Sequence, residues 1–161
     1  KIHIHHPPEH RIDQTEAAAF ECHLVHFAAD DADLTGPKVV ISVFFHEQTG
    51  ADTPASIRKL SEKLRHRSEN RDMPLKWRVG EKGEGLAINP NDFLPKNRDH
   101  WYHYQGSLTS GTFSEDVSWF VMDGEIGVDP DHVKELKAHA EQEARVVHAV
   151  DRRFVLRNFV K

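Results

Sequence analysis

Period-two alternation of apolar and polar residues is the feature that most restricts what this chain can build. A side-chain period of two belongs to a strand with one face on a core, not to a helix. Lys1 to His5 alternates, with Ile2 and Ile4 on one face and His3 and His5 on the other. Phe20 to Phe27 alternates again and places Glu21, His23 and Val25 on a common face. Between them, His6-Pro7-Pro8-Glu9-His10 cannot continue a ladder, because two prolines supply no N–H. Gly36-Pro37 then breaks the chain before Val39-Val40-Ile41-Ser42-Val43-Phe44-Phe45, a β-branched run with the length of a buried strand. Tyr102 to Tyr104 and Val117 to Met122 read as further strands on either side of the Gly106 to Glu115 segment, and Phe154 to Val160 as a closing extended run. A short strand around Leu75 to Val79 is an option within the polar stretch Ser68 to Gly85.

Helical spacing appears in two places. Thr53-Pro54 offers a capping hydroxyl followed by proline at the first position, and Ile57, Leu60 and Leu64 then recur on one face. Asp129-Pro130 opens a second helix carrying Val133, Leu136 and Ala140. Asn89-Pro90-Asn91 and Leu94-Pro95 mark turns. The pattern predicts a β-rich chain with two surface helices and many loops.

The 161 residues favour one domain with a real core. No apolar run approaches the roughly 18 residues of a membrane-spanning helix. A net charge of −5 has the wrong sign for a protein whose partner is nucleic acid. One cysteine, Cys22, excludes an internal disulfide framework and multi-cysteine metal sites; facing away from the histidines, it reads as a small buried hydrophobe. The unusual count is 13 histidines.

His3 and His5 stand at i, i+2, so a strand points both imidazoles the same way about 6.5–7 Å apart. His23 lies on the second alternating segment, after a loop long enough to bring it alongside. Three neutral imidazoles with an open fourth position are the ligand set of a catalytic zinc site. Glu21, two residues before His23, is placed to accept its ring N–H and fix its tautomer. On spacing alone, scattered surface histidines explain the pattern as well as a metal site does.

The flanking residues resemble one family. Ile2-His3-Ile4-His5-His6-Pro7-Pro8-Glu9-His10 with Ile12-Asp13, then Phe20-Glu21-Cys22-His23-Leu24-Val25-His26-Phe27, is similar to the metal-binding heart of an α-class carbonic anhydrase. Asp92-Phe93-Leu94-Pro95, Tyr102-His103-Tyr104-Gln105-Gly106-Ser107-Leu108-Thr109-Ser110, Ser114-Glu115-Asp116-Val117-Ser118-Trp119-Phe120-Val121 and Asp151-Arg152-Arg153-Phe154-Val155 continue the resemblance in order along the chain. It implies a mainly β (α+β) fold built on a central, mostly antiparallel twisted sheet with a few surface helices. It also implies zinc-dependent, reversible hydration of carbon dioxide to bicarbonate and a proton by zinc-hydroxide attack.

Residue by residue, the resemblance makes His3, His5 and His23 the zinc ligands and Glu21 the carboxylate behind His23. Thr109 becomes the hydroxyl that accepts a hydrogen bond from the hydroxide and donates its own proton to Glu9. Val25, Val40, Leu108, Val117 and Trp119 match the apolar wall for carbon dioxide. Ser110 lies at the mouth, where bicarbonate, anions or sulfonamide inhibitors would bind. Without the resemblance, those apolar residues would be unremarkable in any β-core, and Glu9 alone would read as a salt-bridge partner. His10, His26 and Tyr104 match structural positions and are expected as hydrogen-bonded core groups. His6 points away from the metal site. His46, His66, His100, His103, His132, His139 and His148 are expected at the solvated surface.

Several departures carry expectations of their own. Gly111-Thr112 stand where the family has paired prolines, which should loosen the loop of Thr109 and Ser110. Lys1 takes the place of a glutamine that orients the first ligand, and an ammonium cannot accept an imidazole N–H. The chain is expected to be a single domain over 1–161 that lacks the family's N-terminal part, which supplies the proton-shuttle histidine. A strand beginning on metal ligands is expected to fray unless that segment, or a partner chain, precedes it. The competing reading is therefore a carbonic-anhydrase-like structural or binding module of a larger assembly; acatalytic relatives typically lack a zinc histidine, and all three are present here. The resemblance alone favours an extracytoplasmic or organelle-lumen setting.

Overall fold

The computed structural model describes residues 1–12, 18–67, 87–140 and 144–160. The alternating segments become the strands β1 (Ile2–His5), β2 (Phe20–Phe27), β3 (Lys38–Glu47), β4 (Trp101–Gly106), β5 (Val117–Val128) and β6 (Leu156–Arg157). They form one six-stranded sheet in the order β1-β2-β3-β5-β4-β6. Every pairing is antiparallel except β3 with β5, which is parallel. A parallel pair needs a crossover, and the helix α1 (Ala55–Arg67) and β4 both lie in that connection. The family-like architecture expected from the sequence is the one observed: a twisted, mostly antiparallel sheet with two helices.

The differences are at element ends. β5 runs six residues past the expected stop at Met122, because Ile126 and Val128 keep the alternation going while Gly124 and Gly127 dilute the signal. Its extension pairs with Phe44 to Glu47 beyond a register shift at Ser42/Phe44. The closing run shrinks to Leu156–Arg157. The optional strand at Leu75 to Val79 lies outside the described residues.

Both helices turn their apolar stripe to the sheet, although α2 ends at His139 and Ala140, expected on its stripe, is instead its half-buried C-cap. Ile57, Leu60 and Leu64 of α1 are buried, as are Val133 and Leu136 of α2 (Pro130–His139). Asp129 caps α2, accepting the Asp131 N–H at 3.2 Å. Thr53 does not serve its own helix: its hydroxyl accepts the Asp129 N–H at 3.0 Å. The Ser56 N–H of α1 is instead taken by Asp92 Oδ2 at 2.9 Å, from the 3₁₀ turn Pro90–Phe93. Among the described residues no helix is long and apolar enough to cross a membrane.

Alternation sends the two faces of the sheet to different fates. Phe20, Cys22, Leu24, Val43, Phe45, Met122 and Ile126 join the inward residues of α1 and α2 in the larger core. Cys22 is fully buried, as expected, opposite Ile4 and Val43. The other face holds a smaller apolar cluster, Val25, Val40, Val117 and Trp119, with Phe27, Tyr104 and Leu108 packed against it. The same face carries the histidines.

Candidate metal centre

β1 and β2 pair so that His3 faces His23 and His5 faces Glu21, which puts all four side chains on the sheet face away from the helices. The ring centroids of His3, His5 and His23 lie 4.5–5.3 Å apart. Each can offer one nitrogen such that the three lie within 4.8 Å of one another. His5 and His23 are buried and His3 half-buried. Burial, helped by the neighbouring imidazoles, pushes His3 down to about 2, so the ring is neutral and its lone pair available. Burial likewise lowers His23, against the opposing charge of Glu21.

Glu21 organises the centre from behind. Its Oε2 accepts the backbone N–H groups of Glu9 and His10 at 2.7 and 2.9 Å. Its Oε1 meets His10 Nδ1 at 2.6 Å, His23 Nε2 at 2.7 Å and the Ser42 hydroxyl at 2.6 Å. Burial alone would raise this carboxyl, but the charges and hydrogen bonds of His10 and His23 hold it well below the ordinary carboxylate range. An ionised Glu21 only accepts, so His23 donates from Nε2 and keeps Nδ1 for a metal. His10 donates from Nδ1 in the same way, and its Nε2 accepts from the Tyr104 hydroxyl at 2.7 Å. His10, Glu21 and His23 could also bracket an ion, but their close mutual hydrogen bonds already use the facing atoms.

Glu9 is buried beside the imidazoles. Its Oε1 accepts the Arg145 N–H at 3.1 Å, while Oε2 has no hydrogen bond and lies 3.6 Å from His5 Nδ1 and 3.9 Å from His23 Nδ1. A cavity of about 230 Å³ opens in front of His3 and His23; Val25, Val40, Leu108, Thr109, Ser110 and Trp119 line it. Val117 is fully buried in the layer behind that lining. Gly106 allows the layer to close: a Cβ there would sit 3.0 Å from Trp119 Cδ1 and closer still to the Tyr104 ring. The hydrogen bond expected from Thr109 to Glu9 is not formed, although both residues border the same centre.

Sequence reasoning missed three members of this neighbourhood. Ser42 was legible as the lone hydroxyl in an otherwise apolar strand. Lys38 lines the cavity yet is buried, its Nζ donating to the Gly36 carbonyl at 2.7 Å and to Asp116 Oδ2 at 3.0 Å. Arg145 carried no local signal. Other expectations need correction. His26 is exposed, not a core group, because its side of β2 lies beyond the helices; its ring reaches only the Val39 carbonyl at 3.3 Å. His46, His100, His103 and His132 are half-buried with partners, for example His132 with the Ser61 hydroxyl at 2.6 Å. His139 and His148 are exposed as expected, and the His66 side chain lies outside the described set. Gly111 has φ 71°, a conformation closed to the proline of the family pattern, so it permits a different turn and does not merely loosen the loop. β1 is tied to β2 from its first residue, the Lys1 carbonyl accepting the Val25 N–H at 2.7 Å.

A family profile described as eukaryotic-type carbonic anhydrase matches residues 1–157. The chain belongs to this family. A carbonic anhydrase of Nostoc sp. is 28% identical over 163 residues, covering 97% of this chain and 52% of the relative. The α-carbonic anhydrase of Thermovibrio ammonificans, solved with the inhibitor sulfanilamide, superposes with a TM-score of 0.69 at 29% identity, over 96% of this chain and 60% of that one. Dioscorin complexed with ascorbate superposes with a TM-score of 0.74 at 25% identity, over 98% and 60%. The chain thus spans about half the length of the curated relatives it matches.

Against that family background, the donor set can be tested for the metal. Three imidazoles converge beside a cavity with an apolar side, His3 and His23 kept neutral by burial and His23 turned by a buried carboxylate. This is the number and kind of ligand that zinc takes in a catalytic site, with a fourth position open.

Proposed function

We propose that this chain carries the zinc-dependent hydration centre of its family: carbon dioxide plus water giving bicarbonate and a proton, reversibly. The convergence of His3, His5 and His23, backed by Glu21 and facing an apolar cavity wall, is the observation that supports it. When bound, zinc supplies a nucleophile at neutral pH by bringing the pKa of water down to about 7.

The chain's own residues supply the rest. At this centre Glu9 Oε2 is a buried acceptor that still lacks a donor. In this reading a shift of its loop lets the Thr109 hydroxyl donate to Glu9, and since a carboxylate can only accept, the threonine's lone pairs are then left facing the cavity. They accept a hydrogen bond from the O–H of the attacking oxygen and so aim that oxygen's own lone pair at the substrate. Val25, Val40, Leu108 and Trp119, with Val117 behind them, hold apolar carbon dioxide and keep bulk water off it. The Thr109 N–H orients a substrate oxygen, and Ser110 meets bicarbonate or an inhibitor anion at the mouth. Residues 1–161 act as one domain in this reading.

Metal analysis followed by stopped-flow hydration, with His23→Ala as control, tests it. Stoichiometric zinc and turnover in the wild type, both lost in His23→Ala, are expected. A wild type that takes up no zinc sinks the reading. Zinc without turnover favours the alternative, a carbonic-anhydrase-like binding or structural module, in line with the likeness to dioscorin, which was solved with ascorbate bound. Turnover that appears only when an N-terminal family segment is added would identify a missing segment or partner chain.

A further inference from the structure

The loop between β4 and β5 carries Thr109, and its own backbone does little to fix it. Gly111 and Phe113 both adopt left-handed φ, 71° and 53°. One backbone bond, Leu108 N–H to the Ser114 carbonyl at 2.9 Å, ties its two limbs together. Apart from the Ser114 hydroxyl donating to Asp116 Oδ1 at 2.7 Å, the restraints come from outside. Trp119 Nε1 donates to the Ser107 carbonyl at 3.0 Å. Arg145 Nη1 donates to Ser107 Oγ at 2.6 Å and to the Leu108 carbonyl at 3.3 Å. The same guanidinium lies over the Phe113 ring, 4.7 Å from its centroid. Arg145 also offers its backbone N–H to Glu9 Oε1 at 3.1 Å.

One residue from the C-terminal segment therefore holds both the carboxylate of Glu9 and the residues immediately before Thr109. We propose that Arg145 is a positioning residue, a clamp that holds Glu9 and the loop of Thr109 to one point, from which the Thr109 hydroxyl can be brought onto Glu9. The inference rests on the orienting role given to that pair above. The geometry suits the task. A carboxylate pinned at Oε1 presents Oε2 in a fixed direction, and the loop that must meet it is held by the side chain of the residue doing the pinning. Arginine provides what the site needs: the N–H bonds of one planar nitrogen, Nη1, reach both acceptors while the guanidinium keeps a flat face for an aromatic ring. Lysine would keep the charge but lose the planar geometry and the stacking.

Wild type, Arg145→Ala, Arg145→Lys, Ser107→Ala and the Arg145→Ala/Ser107→Ala double variant are compared. The measurements are zinc content, kcat and KM for carbon dioxide hydration per bound zinc, and amide exchange of Leu108 in the zinc-free protein. Arg145→Ala is expected to keep its zinc and KM but lose about tenfold in kcat, the cost of a small misplacement of an orienting group. Arg145→Lys should recover part of that loss. The double variant should be no slower than Arg145→Ala, because both substitutions break one contact. Leu108 exchange should be faster in Arg145→Ala.

Unchanged kcat per zinc in Arg145→Ala overturns the clamp, even if stability or zinc uptake falls, since that pattern marks a purely structural residue. Additive losses in the double variant also overturn it. If the zinc-loaded wild type shows no hydration, the function proposed above fails on its own, and Leu108 exchange decides the clamp: faster exchange in Arg145→Ala upholds the grip on the loop, unchanged exchange removes it.

Discussion

Under α1 and α2, the sheet buries Phe20, Phe45, Ile126 and their neighbours against helix side chains that are apolar in turn. On the opposite face it buries His5, Glu9, Glu21, His23 and Ser42, groups that lose hydration on burial. The first face needs only volume and shape. The second needs each polar atom matched, and Glu21 supplies most of the matching: five donors converge on its two oxygens. Substitutions on the two faces should therefore fail in different ways. On the helix side they should lower stability and leave metal affinity alone; on the histidine side the two should fall together.

The largest effect is expected on the helix side. Phe45 is fully buried and stacked on Phe20 with ring centroids 4.6 Å apart. Phe45→Ala should cost about 4 kcal/mol, combining lost transfer energy with an unfilled cavity. Urea denaturation reads the loss, and zinc affinity of the folded protein should be unchanged. A fall in affinity would show that the faces are not independent.

Glu21→Gln keeps the volume and removes the charge. Whichever way the amide is turned, its NH₂ meets donors: the Glu9 and His10 N–H groups on one side, or His10, His23 and Ser42 on the other. The substitution should cost about 3 kcal/mol, at the upper end for leaving buried polar groups unmatched. Zinc affinity should fall by about 10–100-fold as His23 loses its fixed tautomer. Stability loss with intact affinity would mean that Glu21 is scaffolding only. Ser42→Ala deletes one of the five donors, so about 1 kcal/mol and about a tenfold loss in affinity are expected, read by the same titration.

How much of each face was legible follows from the kind of information each needs. The helix side is written in periodicity: Ile57, Leu60 and Leu64 on one helix and Cys22, Leu24 and Val43 on the strands could be placed from spacing. The ligand pair His3 and His5 and the neighbour pair Glu21 and His23 were legible for the same reason, since each lies within one strand. Where the partner is far along the chain, the signal fades. Arg145 is 136 residues from Glu9, and nothing local marks it. Lys38 stands at the edge of an apolar run with nothing local to mark it, and Asp116 draws it inward from 78 residues away. His26 failed in the opposite direction, because β2 outruns the helices that would have covered it. The Thr53 hydroxyl stands where a local cap is expected and serves a distant N–H instead.

Lys38 and Asp116 sit at the rim where the two faces meet, and they offer the finest test of the contrast. Lys38 is buried, whereas the Asp116 side chain is 29% exposed. Hydrogen bonds from the Ser114 hydroxyl and from Lys38 hold the Asp116 carboxyl below its ordinary 3.8. A carboxyl with a depressed folded pKa contributes stability above its unfolded pKa, and that contribution drains away as pH falls through the folded value. Asp116→Asn should therefore cost up to about 1 kcal/mol at neutral pH, a modest figure because solvent screens the pair. The gap between variant and wild type should narrow as denaturation is repeated below pH 3.8. Because the pair borders the cavity without touching the histidines, zinc affinity should stay at the wild-type value. A gap that persists undiminished in acid would mean that Asp116 acts by shape and hydrogen bonding alone, and that Lys38 is held at the cavity rim by the Gly36 carbonyl and the Phe27 ring.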